Sequence, residues 1–177
     1  MTALKSCDRW DARFFALCYL VASWSEDTSR KVGSVIVGPA NEIRSTGYNG
    51  FARQVSSTRE ERYSRAAGEK YLWFEHAERN AIYNLARTGA SSDGCRMYAS
   101  AYPCADCARA IIQSGIIELR TFPHDPTDEF FRIHYAVSVE MFLESGVNVS
   151  LYKRSDPLLA GTIKLFIDQV GAVNPPA

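Results

Sequence analysis

Two short motifs constrain this 177-residue chain more than any other feature. The first is His76-x-Glu78 in the segment FEHAERN, and the second is Cys104-x-x-Cys107, which follows Pro103 in YPCADC. One imidazole and two thiolates suit Zn²⁺ in tetrahedral geometry, and three protein ligands leave its fourth position open. An open position indicates a catalytic zinc, because a water held there becomes a nucleophile near neutral pH. Glu78 would place a proton-transferring carboxylate beside that water.

The spacing within each motif predicts where the ligands lie in the fold. Side chains two residues apart on a helix point about 200° away from each other, so His76 and Glu78 can share a site only where a helix begins. The following residues, Ala77–Arg87, favour such a helix. Cys104 and Cys107 are three residues apart, which places both on one face of a second helix. We therefore expect two helix N-termini to meet at the metal.

Two other interpretations of the cysteine pair are open, a redox pair and half of a structural zinc site. A structural site is closed by a fourth protein ligand. The remaining cysteines and histidines form no second pair at metal-binding spacing; they are Cys7, Cys18, Cys95, His124 and His134. Solitary histidines are commonly hydrogen-bonded or solvated, although contact with a ligand stays open for the last two. The sequence thus favours a catalytic zinc.

Composition limits the partners of the chain. It has 20 basic and 20 acidic residues and no net charge. Affinity for nucleic-acid polymers comes mostly from neutralised phosphates, so this balance argues against such a partner, while a local basic pocket for one phosphate stays open. No apolar stretch is long enough for a membrane span or a signal peptide. Five cysteines do not resemble a disulfide framework, and we expect a cytoplasmic protein with no membrane partner.

Helix and strand patterns alternate along the chain. The predicted helices cover residues 8–24, 76–87, 103–114, 129–145 and 158–170. The predicted strands cover residues 32–37, 42–48, 96–100, 116–122 and 147–152. The first two strands are joined by a short turn and should pair antiparallel. Successive strand–helix–strand units imply parallel pairing with helices on both faces of the sheet.

Two polar segments each allow two interpretations. Residues 47–51, Gly-Tyr-Asn-Gly-Phe, are either a plain turn or the place where Asn49 offers its amide to a ligand. Residues 52–71 mix basic and acidic side chains. This segment is either a solvated loop or a lid whose arginine or lysine reaches a substrate phosphate.

With these motifs in order, the chain resembles the deoxycytidylate (dCMP) deaminases of the cytidine deaminase superfamily. His-x-Glu followed by Pro-Cys-x-x-Cys is the signature of zinc-dependent base deaminases in general. GYNG together with HAERNAI resembles the dCMP branch, and the likeness covers most of residues 8–153. The chain departs from that branch at Ala52, where proline is frequent, and in residues 55–65, which do not align.

The resemblance implies an α/β fold, a three-layer α/β/α sandwich on a five-stranded mixed sheet. Residues 1–153 would form the deaminase domain and residues 154–177 a C-terminal extension. It also implies hydrolytic deamination of dCMP to dUMP, which feeds thymidylate synthesis, in a homo-oligomer for which a hexamer is favoured. The alternatives are another cytosine nucleotide or nucleoside, such as 5-methyl-dCMP or cytidine, and a non-catalytic nucleotide-binding zinc protein.

The same resemblance assigns roles to residues. His76, Cys104 and Cys107 would hold one zinc ion, and Glu78 would shuttle the proton. Asn49 would contact the sugar, and the other predicted substrate contacts are Ala77, Ser100, Ala101 and Tyr102. Residues predicted at an interface or regulatory site are Arg87, Gly47 and Tyr48. The implied effectors are dCTP and dTTP, with Mg²⁺ accompanying the effector nucleotide.

Overall fold

The computed structural model of the protein describes residues 4–66 and 68–171. Its α-helices are α1 (Arg9–Ala22), α2 (Lys70–Trp73), α3 (Ala77–Arg87), α4 (Ala105–Gln113), α5 (Arg132–Ser145) and α6 (Pro157–Gly171). Its strands are β1 (Gly33–Val37), β2 (Ile43–Tyr48), β3 (Gly50–Phe51), β4 (Phe74–Glu75), β5 (Arg96–Ala99), β6 (Glu118–Thr121) and β7 (Asn148–Leu151). None of these described helices has the length and apolar character that crossing a membrane requires.

Five strands form one mixed sheet in the order β2-β1-β5-β6-β7. β1 pairs antiparallel with both β2 and β5, whereas β5, β6 and β7 pair parallel. The parallel strands are connected by α4 and α5, as the alternating pattern predicts. β3 and β4 form a separate two-stranded ribbon. The predicted five-stranded mixed sheet is confirmed.

Helices cover both faces of this sheet. Along β1, Val35 and Val37 pack into a cluster with Phe15 of α1, while Ile36 points to the other face and packs with Leu85 of α3. This alternation follows from the two-residue period of a strand, and burial on both faces explains why Val35, Ile36 and Val37 are all apolar. α1 and α6 thus lie on one face, and α3, α4 and α5 lie on the other. The predicted three-layer sandwich is confirmed.

The C-terminal helix shares the core of the sandwich. Leu159 of α6 is buried in the same cluster as Phe15 of α1. The division of the chain at residue 153 stays a prediction, and residues 172–177 of the predicted extension lie outside the described residues.

Local capping explains where two helices begin. Asp8 accepts hydrogen bonds from the backbone of Trp10 and Asp11, and Asp11 accepts one from the backbone of Asp8, which forms the capping box at the predicted start of α1. The predicted helix over residues 129–145 is interrupted. Asp128 accepts a hydrogen bond from the Phe131 N–H, and this cap holds Glu129–Phe131 as a short 3₁₀-helix before α5 begins.

A glycine sets the distance between α3 and the sheet. A Cβ at Gly47 of β2 would lie 2.3 Å from the Ala77 carbonyl oxygen and 2.3 Å from the Ala81 nitrogen. Only glycine therefore lets α3 approach β2 this closely. Because α3 begins next to His76, this approach also determines where the first motif lies.

Candidate active site

The predicted metal ligands lie at the starts of two helices. His76 is the N-cap of α3 and Cys104 is the N-cap of α4, both with extended backbone. Glu78 and Cys107 follow in the first turns of these helices. Because the N-cap residue has extended backbone, its side chain can point to the same site as the side chain two positions later. Within a continuous helix these two side chains point in different directions. The predicted meeting of two helix N-termini is confirmed.

The three donor atoms match the spacing that tetrahedral zinc requires. Nδ1 of His76 lies 3.4 Å from Sγ of Cys104 and 3.4 Å from Sγ of Cys107. Zinc bonds of about 2.0–2.1 Å to nitrogen and about 2.3 Å to sulfur place such atoms roughly 3.6 Å apart in a tetrahedron. Among the side chains that the structure describes, no fourth histidine, cysteine or acidic residue joins this group. The cluster fits Zn²⁺ with one ligand position left for solvent or substrate.

Electrostatic interactions within the cluster favour a bound cation. Hydrogen bonds from Cys107 and His76 lower the pKa of Cys104 to about 3. Burial raises the pKa of Cys107, so a divalent cation that binds here displaces a proton from this thiol. Burial also raises the pKa of Glu78, a side chain that is only 3% exposed. Glu78 is therefore a carboxyl group able to exchange protons closer to neutral pH than an exposed glutamate.

A cavity of about 370 Å³, here called the first cavity, opens beside this cluster. Its wall contains most of the predicted site residues, namely His76, Glu78, Cys104, Asn49, Ala77, Ala101 and Tyr102. Cys107 is buried behind that wall. Ser100 accepts a hydrogen bond from the Gly33 N–H at 3.0 Å and faces a neighbouring cavity instead. The tertiary structure thus brings together residues that are up to 55 positions apart, counted from Asn49 to Cys104.

Asn49 is held by hydrogen bonds within the protein. Its amide nitrogen donates to Asp27 Oδ2 at 2.8 Å and to the Arg30 carbonyl at 2.9 Å, and its Oδ1 accepts from the Val32 N–H at 2.8 Å. Both donor positions of the amide are therefore used, and only acceptor capacity on Oδ1 is left for a ligand. Contact between Asn49 and a sugar stays a prediction.

The three residues predicted at an interface or regulatory site lie outside the wall of the first cavity. Gly47 is buried beneath α3, Tyr48 is 39% exposed beside Trp24, and Arg87 is exposed at the end of α3. The structure gives Gly47 a packing role, and the predicted regulatory roles stay predictions.

A buried ion pair lines the first cavity, and sequence patterns did not assign it. Lys70 Nζ lies 2.5 Å from Asp27 Oδ2, and both side chains are nearly buried. Lys70 also donates to Ser29 Oγ at 2.6 Å. Burial raises the pKa of Asp27, but hydrogen bonds from Lys70, Ser29 and the Arg30 N–H outweigh it and lower that pKa. The pair fastens Lys70, at the end of residues 52–71, here called the lid segment, to the loop before β1. That a basic residue of this segment reaches a substrate phosphate stays a prediction.

Further charged and aromatic residues form the rim of the first cavity. Arg30 pairs with Asp128 at 2.9 Å, and Arg65 lines the wall from the lid segment. Phe131 and His134 also line this cavity, and their stacked rings have centres 6.0 Å apart. The only sequence signal for Arg65 and Lys70 was the cluster of basic residues in the lid segment. His134 carried no signal beyond its residue type.

Replacing Lys70 with methionine is expected to destabilise the fold by about 3 kcal/mol, because breaking a buried ion pair leaves the Asp27 carboxylate uncompensated. A carboxylate whose pKa is lower in the folded state than in the unfolded state stabilises the fold. This stabilisation is fully present at pH values above the unfolded-state pKa of about 3.9, and it is lost as the pH falls through the folded-state pKa. Without Lys70 the pKa of Asp27 rises, so acid unfolding should begin at higher pH. Urea and acid titrations measure both effects.

The exposed Lys164 of α6 provides the control. Lys164→Met should change stability by less than about 0.5 kcal/mol. If the Lys70 variant is as stable as the control, the buried Asp27 carboxylate does not need the ion pair with Lys70 for its stabilisation.

The site has a buried glutamate beside a His-Cys-Cys cluster, at the N-termini of two helices that pack on a mixed sheet. This combination defines the class of zinc-dependent base deaminases. The family model for the cytidine and deoxycytidylate deaminase zinc-binding region matches residues 8–122, more than half of the chain. The chain belongs to the cytidine and deoxycytidylate deaminase family. The predicted family and enzyme class, a zinc-dependent deaminase, are confirmed.

Similarity to individual proteins agrees with this assignment. An uncharacterized deaminase of the luxG 3′ region of Aliivibrio fischeri is 37% identical over 145 residues, which cover 80% of this chain and 92% of that protein. Mouse deoxycytidylate deaminase is 38% identical over 117 residues, and the match spans 62% of each chain. The probable deoxycytidylate deaminase of Drosophila melanogaster is 35% identical over 156 residues, which cover 84% of this chain and 73% of that protein.

Solved structures agree on the fold. The apo dCMP deaminase of cyanophage S-TIM5 superposes with a TM-score of 0.63 at 20% identity, over 82% of this chain and 99% of that one. The complex of the same phage enzyme with dCMP and dUMP gives a TM-score of 0.63 at 22% identity, over 78% and 93% of the two chains.

Proposed function

We propose that this protein catalyses the hydrolytic deamination of dCMP to dUMP and ammonia. The observation that carries the proposal is that the His76, Cys104 and Cys107 cluster and the buried Glu78 carboxylate meet in one cavity. Relatives named deoxycytidylate deaminases, 35–38% identical to this chain, support dCMP as the substrate. The product would feed thymidylate synthesis.

Each site residue has a defined part in this reaction. His76, Cys104 and Cys107 would hold the zinc ion, which supplies the acidity that makes water nucleophilic near neutral pH. Glu78 takes a proton from the attacking water and delivers it to N3 of the cytosine ring. The proton of the hydroxyl group now on C4 then passes through Glu78 to the amino group. The C4–N bond breaks, ammonia leaves, and the water oxygen stays on the ring as the C4 carbonyl. Burial suits Glu78 to both roles because it raises its pKa towards neutrality.

The charges around the first cavity support a nucleotide over a nucleoside. Arg30 and Arg65 line the same cavity as the zinc cluster, and guanidinium groups are well suited to bind phosphate. Both Arg30 and Lys70 form ion pairs, but the pair of Arg30 with Asp128 is partly exposed, whereas the pair of Lys70 with Asp27 is buried, which makes Lys70 less available. A volume of about 370 Å³ lies within the range of small-ligand sites, roughly 300–1,000 Å³. The zero net charge of the chain agrees with a small substrate over a nucleic-acid polymer.

The remaining parts of the proposal follow from the family resemblance. The protein would act in the cytoplasm as a homo-oligomer, with a hexamer favoured. It would respond to dCTP and dTTP, with Mg²⁺ bound to the effector nucleotide. Arg87 and Tyr48, both exposed, would serve these contacts.

A substrate panel tests the proposal. Ammonia release from dCMP, 5-methyl-dCMP, cytidine and deoxycytidine is measured on the zinc-loaded protein, with and without dCTP. We expect dCMP to give the highest kcat/KM, and deoxycytidine at least about tenfold less because it cannot contact the arginines. A higher kcat/KM for deoxycytidine would exclude the nucleotide preference. Tight dCTP binding without ammonia release from any substrate would favour the non-catalytic alternative.

A further inference from the structure

Arg79 lies between the two helices that carry the metal-binding residues. It belongs to α3 and lines the first cavity together with His76 and Cys104. Its guanidinium group, in a side chain that is 19% exposed, forms ion pairs with Glu75 and Asp106. Glu75 directly precedes His76, and Asp106 belongs to the first turn of α4. Arg79 therefore connects the starts of both helices.

The carboxylate of Glu75 holds the backbone of a predicted metal ligand. Its Oε1 accepts a hydrogen bond from the His76 N–H at 2.9 Å and another from Nε of Arg79. Glu75 is also the last residue of β4, where it pairs with Gly50 of β3. Arg79 thus fixes the carboxylate that in turn fixes the entry of the chain into α3.

The carboxylate of Asp106 lies on the side of the site that carries the two cysteines. Asp106 is in the first turn of α4, between Cys104 and Cys107, where an acidic side chain also interacts favourably with the helix dipole. Its Oδ2 lies 3.5 Å from Nη1 of Arg79. A guanidinium group offers several donors in one rigid plane, so a single arginine can bind the carboxylates of Glu75 and Asp106 together.

These two ion pairs are expected to affect zinc binding more than overall stability. The donor atoms of His76 and Cys104 come from segments 28 positions apart, and holding them in place beforehand reduces the conformational entropy that is lost when the metal binds. Residues around metal ligands commonly change metal affinity about 10–100-fold. The pairs are partly exposed, with the Glu75 side chain at 24% and that of Asp106 at 49%, and such pairs contribute little to the stability of the fold.

We propose that Arg79 is a positioning residue of the zinc site. By binding Glu75 and Asp106 at once, it sets the distance between His76 and the two cysteines before the metal arrives. Part of the zinc affinity then comes from a residue that is not itself a ligand. This inference rests on the proposed function, since that function requires zinc at the His-Cys-Cys cluster.

Competition between the zinc-loaded protein and a chelator of known affinity measures the Kd for zinc. We expect Arg79→Gln to raise this Kd at least about tenfold. Arg79→Lys keeps the charge but lacks the planar group that spans both carboxylates, so it should recover only part of the affinity. Arg109 provides the control, because it is exposed and pairs with Asp106 within α4. Arg109→Gln should change the Kd by less than about twofold.

Two further measurements separate positioning from a general loss of stability. With zinc removed by excess chelator, the Tm of the Arg79→Gln protein should lie within about 4 °C of that of the unmodified protein, because only partly exposed ion pairs are lost. In a protein that already carries Asp106→Asn, Arg79→Gln should raise the Kd for zinc by a smaller factor, since the connection between the helices is already broken.

An unchanged Kd in the Arg79→Gln protein, or an equal increase in the Arg109→Gln protein, overturns the proposal. Full recovery by Arg79→Lys, or the same effect of Arg79→Gln with and without Asp106→Asn, means that zinc binding needs no bridge between the helices and also overturns it. A larger fall in the Tm of the metal-free protein assigns Arg79 a purely structural role, with the same consequence. If the unmodified protein binds no zinc, the proposed function fails as well. If it binds zinc with the same Kd as the Arg79→Gln protein, only the inference fails.

Discussion

Replacing Glu78 with glutamine is expected to lower kcat for dCMP by about a thousandfold or more while zinc stays bound. General acid–base catalysis by one side chain contributes about 10²–10⁴-fold, and Glu78 is proposed to transfer protons in two successive steps. The amide has nearly the same size as the carboxyl group, so the buried position at the second residue of α3 tolerates it. An amide cannot accept and release a proton near neutral pH.

Three measurements accompany this variant. Metal analysis should give the same zinc content as the unmodified protein, and thermal unfolding should show a similar Tm. KM for dCMP should change much less than kcat, because the lost interaction belongs to the transition state. Glu140→Gln on the exposed face of α5 removes a carboxylate elsewhere and should leave kcat unchanged. A Glu78 variant with normal kcat would reject the proposed role of this residue.

Replacing Cys104 with alanine is expected to abolish both zinc binding and activity. Two remaining ligands, His76 and Cys107, do not complete a zinc site, for which three or four protein ligands are usual. Bound zinc also stabilises the folded state, because free ligand at a thousandfold excess over Kd contributes about 4 kcal/mol. The variant should therefore contain almost no zinc and unfold at a lower Tm.

A chelator separates metal loss from the packing defect that the smaller side chain leaves. It should lower the Tm of the unmodified protein but leave the Tm of the Cys104→Ala protein unchanged, because that variant holds no metal to lose. Cys7→Ser provides the control, since Cys7 lies outside the His-Cys-Cys cluster and should not affect zinc content. Full zinc occupancy in the Cys104 variant would mean that another group completes the site.

Local sequence patterns predicted which histidine and cysteines lie together at the site. His76, Cys104 and Cys107 were recognisable because residue type decides metal preference, and the two-residue and three-residue spacings decide where a helix can begin. The start of the first helix at residue 8 and the strand over residues 32–37 were recognisable for the same reason, since both depend on neighbours within a few residues. The 3₁₀-helix before α5 was not predicted. Residues 129–131 fit the same helical pattern as α5, and only the hydrogen bond to the Asp128 side chain shows that they form a separate short helix.

The charged residues around the site could not be predicted in this way. Lys70 reaches Asp27 across 43 positions, and Arg30 reaches Asp128 across 98 positions. The amino-acid sequence of the lid segment does not show which of its basic residues face solvent and which face the cavity. Only the packing of Lys70 against the loop before β1 distinguishes this buried residue of the lid segment from Arg53, which is exposed.

The sequence by itself thus determined the cluster of His76, Cys104 and Cys107, the position of Glu78 beside it, and the alternation of strands and helices. These features depend on residue type and on spacings within one turn of helix or a few residues of strand. The tertiary structure alone decided which charges line the first cavity and that the amide donors of Asn49 are already engaged. These features arise from contacts between segments far apart in the chain, and no local pattern encodes such contacts.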